Sequence, residues 1–263
     1  MALDETAIAD AAQRLLEHWM TARLMPELPA HCKPSSRAEG YAIQMAMLRA
    51  SGRRNYGWKI AATSSAGQAH IGVDGPLAGR IHHTQVVLAG ADIPIKKGLM
   101  KVAEVEFAFR MAHSLEPRLK AYTRDEVMSA VASLHPAIEI PDSRLSLFAR
   151  AGAAQLIADN ACADRFMLGP ESPSLWRDLN LADHRVAVSI SDRADMEGLG
   201  SNVLGDPRDA LCWIVNELSG HGIALLAGEV VTTGTCVVPI AVDNGVSISA
   251  DFGALGHISA RFC

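Results

Sequence analysis

The chain has 263 residues, 49% of them hydrophobic and 20% charged, which excludes intrinsic disorder and fits one large domain or a body with a small appendage. Twenty-four Lys and Arg against 29 Asp and Glu give a net charge of −5, and Arg53-Arg54 and Lys96-Lys97 are isolated basic pairs, so a nucleic-acid binder with a basic stripe is excluded. The five cysteines (Cys32, Cys162, Cys212, Cys236 and Cys263) form no CxxC pair, which speaks against a disulfide framework or zinc ribbon and for reduced thiols in a cytoplasmic protein. No apolar run approaches the roughly 18 residues that a membrane helix needs, and Asp4-Glu5 stand where a secretory leader would be basic.

In chain order, Ile8, Ala12, Leu15, Trp19 and Met20 form one stripe and predict a helix over Glu5–Met25, stopped by Pro26 and Pro29. Ser36 with Glu39 is a capping box that opens a second helix, whose inner face is Tyr41, Met45 and Leu48 and whose stop is Gly52. These two helices predict a small N-terminal cap over residues 1–55, followed by a β-rich domain over 56–263. Strands are expected at Gly57–Ala61, Thr84–Leu88, Ile93–Ile95, Val102–Phe109, His135–Ile140, Arg185–Ile190, Glu229–Thr233 and Val246–Ala250. Residues 64–67 and 72–80 read as turns and loop. Thr123 with Glu126 predicts a helix through Val127, Val131 and Leu134, and Asp206-Pro207 opens another through Leu211, Ile214 and Leu218. The order does not alternate as a doubly wound sheet would, and no GxGxxG joins a strand to a helix, so the class is α+β with a β-rich core.

The informative segment is Val102–Phe109. Side chains alternate along a strand, so Glu104 and Glu106 share one face, roughly 7 Å apart along the chain, while Ala103, Val105, Phe107 and Phe109 take the other. Glu139 stands between Ile138 and Ile140 with the same oddity. On residues alone, Glu104 and Glu106 fit either a solvated edge strand or a cation site. If the three acids converge, an all-oxygen set suits a hard cation, Mg²⁺ or Mn²⁺.

Taken together, several segments resemble the fumarylacetoacetate hydrolase superfamily, in its branch of 2-keto-4-pentenoate hydratases and 2-oxo-3-hexenedioate decarboxylases. They are Gly57-Trp58-Lys59-Ile60 with Thr63-Ser64, Gly72-Val73-Asp74, Glu104-Val105-Glu106, and Ile138-Glu139-Ile140-Pro141-Asp142-Ser143-Arg144. Ala158-Asp159-Asn160-Ala161, Gly205-Asp206-Pro207 and Leu226-Ala227-Gly228-Glu229 leading to Thr233-Gly234-Thr235 complete the set. The resemblance runs along nearly the whole chain. It implies a mixed β-roll core with peripheral helices and a homo-oligomer. It also implies a divalent cation, Mg²⁺ or Mn²⁺, on Glu104, Glu106 and Glu139.

The same resemblance assigns catalysis to Lys59 and Asp74, and substrate contacts to Thr63, Leu77, Asp159 and Thr235. Read as residues, each has a plainer alternative: Lys59 a snorkelling strand lysine, Asp74 a turn residue, Asp159 a loop cap, and Thr235 part of a tight turn. As a catalyst, Lys59 between Trp58 and Ile60 is expected to have a lowered pKa. Asp142 and Arg144 read as a structural ion pair, Cys162 as a buried thiol, and the ten histidines as structural.

The implied activity is hydration of a 2-hydroxy-2,4-dienoate to a 4-hydroxy-2-oxo acid, a lyase step in aromatic meta-cleavage catabolism. The alternatives are a metal-dependent 2-oxo-3-hexenedioate (4-oxalocrotonate) decarboxylase, a C–C bond hydrolase of an acylpyruvate, and a non-catalytic subunit. A complex with a neighbouring pathway enzyme is also implied. The sequence departs from many hydratases at Ile60-Ala61-Ala62-Thr63 and at Gly75-Pro76-Leu77-Ala78-Gly79-Arg80, where Arg80 would meet a second substrate carboxylate or lie on the surface.

Overall fold

The computed structural model describes residues 2–95 and 98–263, so the Lys96-Lys97 pair lies outside the described residues. In order, the elements are α1 (Glu5–Thr21), α2 (Arg37–Ser51), β1 (Asn55–Ala61), α3 (Ser65–Ile71), β2 (Leu77–His82), β3 (Val86–Val87), β4 (Val102–Met111), α4 (Arg124–Ser129) and β5 (Val131–Ile140). They continue with α5 (Gly152–Ala158), β6 (Arg165–Leu168), β7 (Arg185–Ile190), β8 (Met196–Leu199), α6 (Pro207–Gly220), β9 (Val230–Thr235), β10 (Ile240–Ala241), β11 (Ser247–Asp251) and β12 (His257–Arg261).

Seven strands form a mixed sheet in the order β2-β1-β9-β4-β5-β6-β3, with β10 paired to the start of β4. β1 and β9 run parallel, as do β3 and β6; the remaining neighbours are antiparallel. A second sheet, β12-β11-β7-β8, covers one face. The apolar face of β4 packs on that side: Phe107 meets Phe252, just after β11, edge-on with ring centroids 5.1 Å apart, and Phe109 meets Trp176, in the turn between β6 and β7, at 5.9 Å. The other face of β4 carries its two glutamates. This is the expected α+β architecture, a mixed β core with peripheral helices. Among the described residues no helix is long and apolar enough to cross a membrane.

Local chemistry accounts for several boundaries. Ser36 and Glu39 form the reciprocal capping box of α2, and Gly52 closes that helix in the left-handed conformation. Asp206 caps α6, with Pro207 at its first position. Four expectations are corrected. α1 ends at Thr21, before the prolines, because Ala22 turns left-handed at φ 53°. The helix opened by Thr123 stops at Ser129, and Val131 and Leu134 belong to β5, where the sheet buries them. Residues 64–72 hold a short helix, with Ser64 as N-cap and Gly72 as C-cap. Residues 77–82 form a strand buried along its whole length, so Leu77 is enclosed in the core and does not sit on a loop.

α1 and α2 pack against each other and onto α5, around a second apolar cluster that includes Leu15, Leu28, Ile43 and Leu145. Asp159, just after α5, ties them down. It is fully buried and accepts from Trp19 Nε1 of α1 (2.8 Å), the Arg144 amide (3.0 Å) and Ser143 Oγ. Burial raises its pKa to about 6 against these three hydrogen bonds.

The next three residues, Asn160, Ala161 and Cys162, all have positive φ (59°, 48° and 62°). A left-handed run of non-glycine residues costs about 1–2 kcal/mol per residue, so something must hold it. The Asn160 side chain does: its Oδ1 accepts from the Arg80 amide and its Nδ2 donates to the Arg80 carbonyl, both at 2.7 Å. Gly79 permits that approach, since a Cβ there would collide with the Asn160 carbonyl oxygen. Gly79→Ala should therefore lower unfolding free energy by about 1–3 kcal/mol in urea. Gly75→Ala, with open space around it, should change it by less than about 0.5 kcal/mol.

Candidate metal and catalytic site

Strand register assembles the site. Lys59 on β1 pairs with Gly79 of β2 on one side and Thr232 of β9 on the other. Thr232 pairs with Ala108 of β4, and Glu104 of β4 pairs with Glu139 of β5. Directly paired residues project to the same side, so Lys59, Thr232, Glu104, Glu106 and Glu139 meet on one face although they come from four strands. Carboxylate oxygens of Glu104, Glu106 and Glu139 lie within 4.8 Å of one another, and Lys59 Nζ is 3.5 Å from Glu139 Oε2. Glu106 and Glu139 are each 1% exposed, Glu104 is half-buried, and β4 runs between β9 and β5, so this is not a solvated edge strand.

The register between β4 and β9 shifts between Glu106 and Ala108. That irregularity brings two donors to one oxygen: Glu106 Oε2 accepts from Thr232 Oγ1 and from the Gly234 amide, the latter at 2.8 Å. Gly234 has φ 100°, and a Cβ there would run into the Thr63 side chain. Thr63, Gly234 and Glu106 are thus fitted in one chain of contacts, and a side chain at Gly234 would break it. Thr232 was not anticipated as a site residue. Its only sequence signal is a β-branched hydroxyl two residues before Gly234, and its reach to Glu106 depends on the irregular register.

Two buried acids, Glu106 and Glu139, and the half-buried Glu104 face the Lys59 ammonium, and the imbalance shows in the ionisation of the buried pair. Burial, with Glu104 adding to it, pushes Glu106 up to about 8, against the hydrogen bonds and Lys59. Burial also holds Glu139 well above the carboxylate range, with Lys59 opposing. For Lys59, burial disfavours the charged form, but Glu139, Glu104 and Glu106 outweigh it and the net shift is upward. The expected lowering is therefore corrected, because the apolar neighbours in sequence are not the neighbours in space. Both oxygens of Glu139 are buried without a hydrogen-bond partner. Two orphaned carboxylate oxygens, converging acids and an all-oxygen donor set fit a hard divalent cation.

The remaining candidates fall in different places. Thr63 is buried against Gly234. Thr235 pairs with Glu106, but its hydroxyl donates to the Val237 carbonyl (2.7 Å), so that proton is not on offer to a substrate carboxylate. Asp159 has its carboxylate filled by Trp19, Ser143 and Arg144 and serves as an anchor. Leu77 belongs to the main core. Asp74 is exposed on the turn between α3 and β2, outside the carboxylate cluster. Arg80 pairs with Trp58, one residue out of phase with Lys59, and therefore lies on the opposite face. It is buried there, its guanidinium 4.1 Å from the Trp58 ring, neither on the surface nor beside the carboxylate cluster. Arg144 and Asp142 do form a buried ion pair, and Cys162 is a buried free thiol.

The sign of the pH dependence follows from Glu106. Its folded-state pKa is raised from 4.5 to about 8, so the metal-free folded protein holds a proton that the unfolded chain has lost. Metal-free thermal stability should fall as pH rises across that window. Glu106→Gln should flatten the slope. Mg²⁺ should raise the melting temperature more at the top of the window than at the bottom, as read by thermal melts with and without chelator.

A scan against protein-family models finds no match. The chain is 30% identical to 2-keto-4-pentenoate hydratase of Burkholderia vietnamiensis, covering 98% of each. It is 28% identical to a 4-oxalocrotonate decarboxylase of a Pseudomonas species, covering 96% of each. Among solved structures, 4-oxalocrotonate decarboxylase from Pseudomonas putida G7, complexed with magnesium and adipate, superposes with a TM-score of 0.88 at 23% identity, over 100% of this chain and 99% of that one. With a relative at this identity along almost its entire length, and the same fold throughout, the chain belongs to the hydratase and decarboxylase branch of the fumarylacetoacetate hydrolase superfamily.

Proposed function

We propose that this protein is a divalent-metal-dependent hydro-lyase that adds water to a 2-hydroxy-2,4-dienoate, of the 2-hydroxypenta-2,4-dienoate type, to give a 4-hydroxy-2-oxo acid. The observation that carries the reading is the cluster of half-buried Glu104 with buried Glu106 and Glu139, and Lys59 against it. The three carboxylates would hold Mg²⁺, with Mn²⁺ as the alternative. When bound, such an ion supplies Lewis-acid polarisation to a substrate whose carboxylate and 2-oxygen can chelate it.

The chain's own residues do the rest. Thr232 and the Gly234 amide fix one oxygen of Glu106, which keeps that carboxylate aimed while its neighbours repel it. Lys59 Nζ is buried and held as an ammonium by the facing carboxylates, and it is the group proposed to deliver and recover protons at the substrate's carbon chain. Asp74, on its exposed turn, is proposed to orient the incoming water. Thr63, packed on Gly234, is the proposed substrate contact from the β1 side.

The decarboxylase reading shares this cluster, and one observation weighs against it. Arg80, the residue that would meet a second carboxylate, is turned to the opposite face beneath Trp58. The proposal further includes a role in aromatic meta-cleavage catabolism, a cytoplasmic location, a homo-oligomer, association with a neighbouring pathway enzyme, and a division of labour in which residues 1–55 cap a catalytic domain of residues 56–263.

The test is ultraviolet decay of freshly generated 2-hydroxypenta-2,4-dienoate, with Mg²⁺ or chelator, followed by product mass. The expected outcome is metal-dependent loss of the dienol with gain of one water and no CO₂. Lys59→Met should lower kcat by at least about 10²-fold with the fold retained. Full turnover in that variant would remove Lys59 from the mechanism, and CO₂ release from 2-oxo-3-hexenedioate without hydration activity would select the decarboxylase.

A further inference from the structure

A second group of metal-ligating side chains lies far from the glutamates in sequence, in the N-terminal segment. Asp10 of α1 and His31 and Cys32 of the turn before α2 place a carboxylate oxygen, a ring nitrogen and a sulfur within 4.8 Å of one another. His31 Nε2 and Asp10 Oδ2 are 2.8 Å apart. Cys32 is a free cysteine and is fully buried, while the His31 side chain is 62% exposed. The set therefore has an inner wall of sulfur and an open outer side.

Its chemistry differs from that of the glutamate site. Sulfur, imidazole and carboxylate together suit a borderline-soft ion. Two ligands on one tetrahedral zinc, each about 2.0 Å from it, stand roughly 3.3 Å apart, so the His31–Asp10 pair needs only a slight opening. Arg14 Nε occupies the same carboxylate oxygen at 2.8 Å and competes for it.

We propose that Asp10, His31 and Cys32 form a binding site for a transition-metal ion of the zinc class, separate from the three-glutamate cluster. Cys32 binds as thiolate, its proton leaving to solvent. His31 binds through neutral Nε2, Asp10 through one oxygen, and the fourth position faces water. The charges balance: one dication against one thiolate and one carboxylate. The ion would pin α1 to the turn before α2. Both segments already grip the body, α1 through Trp19 and the turn through the Leu28 amide, which donates to Gln155 Oε1 at 3.0 Å. The site is therefore a clamp on the helical segment and takes no part in the reaction.

Cobalt titrated into the full chain tests this, because only a thiolate ligand gives a sulfur-to-cobalt charge-transfer band, which the oxygen ligands of the glutamate site cannot. The expected result is a one-equivalent band that Zn²⁺ displaces. It should vanish in Cys32→Ser and in His31→Ala and persist in Glu106→Gln. Arg14→Gln should tighten Zn²⁺ binding. With the glutamate site held saturated by excess Mg²⁺, Zn²⁺ should raise the melting temperature of the parent protein and not of His31→Ala. His31 is exposed, so that variant keeps the test sound if Cys32→Ser fails to fold. No band, a band that survives Cys32→Ser or His31→Ala, or one lost in Glu106→Gln would overturn the proposal.

Discussion

Gathering three carboxylates on one face of a sheet, two of them fully buried and Glu104 half-buried, with the Lys59 ammonium beside them, is the constraint around which this molecule is arranged. Desolvation and mutual repulsion both oppose it, and one lysine cannot neutralise three acids. Glu106 obtains partial relief from Thr232 and Gly234, whereas Glu139 has Lys59 at 3.5 Å and two oxygens without hydrogen bonds. A cluster in this condition is a cavity for positive charge. An all-oxygen set of this kind suits a hard dication, which would satisfy all three acids at once.

Keeping that face intact falls to the surrounding strands. β4 is anchored from behind by Phe107 against Phe252 beside the second sheet and by Phe109 against Trp176, so its glutamates cannot swing away without disturbing an aromatic core. β9 lies between β1 and β4, and its irregular pairing with β4 lets Thr232 reach Glu106. On the other side of β1, the left-handed turn of Asn160–Cys162 is locked onto β2 through Arg80's backbone. Strain held close to a reacting centre by over-determined contacts is a recurrent way to fix geometry. Here the contacts that hold it are a paired amide and a glycine without a Cβ.

Asp159 links this arrangement to the N-terminal helices. A buried carboxylate with three donors is a rigid joint, and its donors come from α1 and from the segment after β5. The turn that follows it sits on β2, the neighbour of the strand bearing Lys59. Helices that look like an appendage in the sequence are thus mechanically continuous with the site, through Asp159 and through Gln44 of α2, which donates to the Ala78 carbonyl of β2.

Much of this was legible in the chain itself. Alternation in Val102–Phe109 identifies a strand with two acids on one face, and that follows from the period of two that any strand imposes. The capping boxes at Ser36 and Thr123 and the Asp206-Pro207 start mark three helix beginnings, because caps act within one turn of chain. Helix ends were less legible: Val131 and Leu134 fit a helical stripe, but the sheet offered them deeper burial. What only the tertiary structure decided is which groups meet. Lys59's apolar neighbours in sequence suggest a depressed pKa, yet three acids from two other strands reverse the shift. Arg80 and Asp159, both plausible for substrate, were assigned elsewhere by strand phase and by hydrogen bonding to residues distant along the chain. Thr232 became a site residue through a register irregularity. Periodicity and capping are local and are written in the residues themselves; electrostatic environment and strand register are sums over distant segments, and only the folded chain evaluates them.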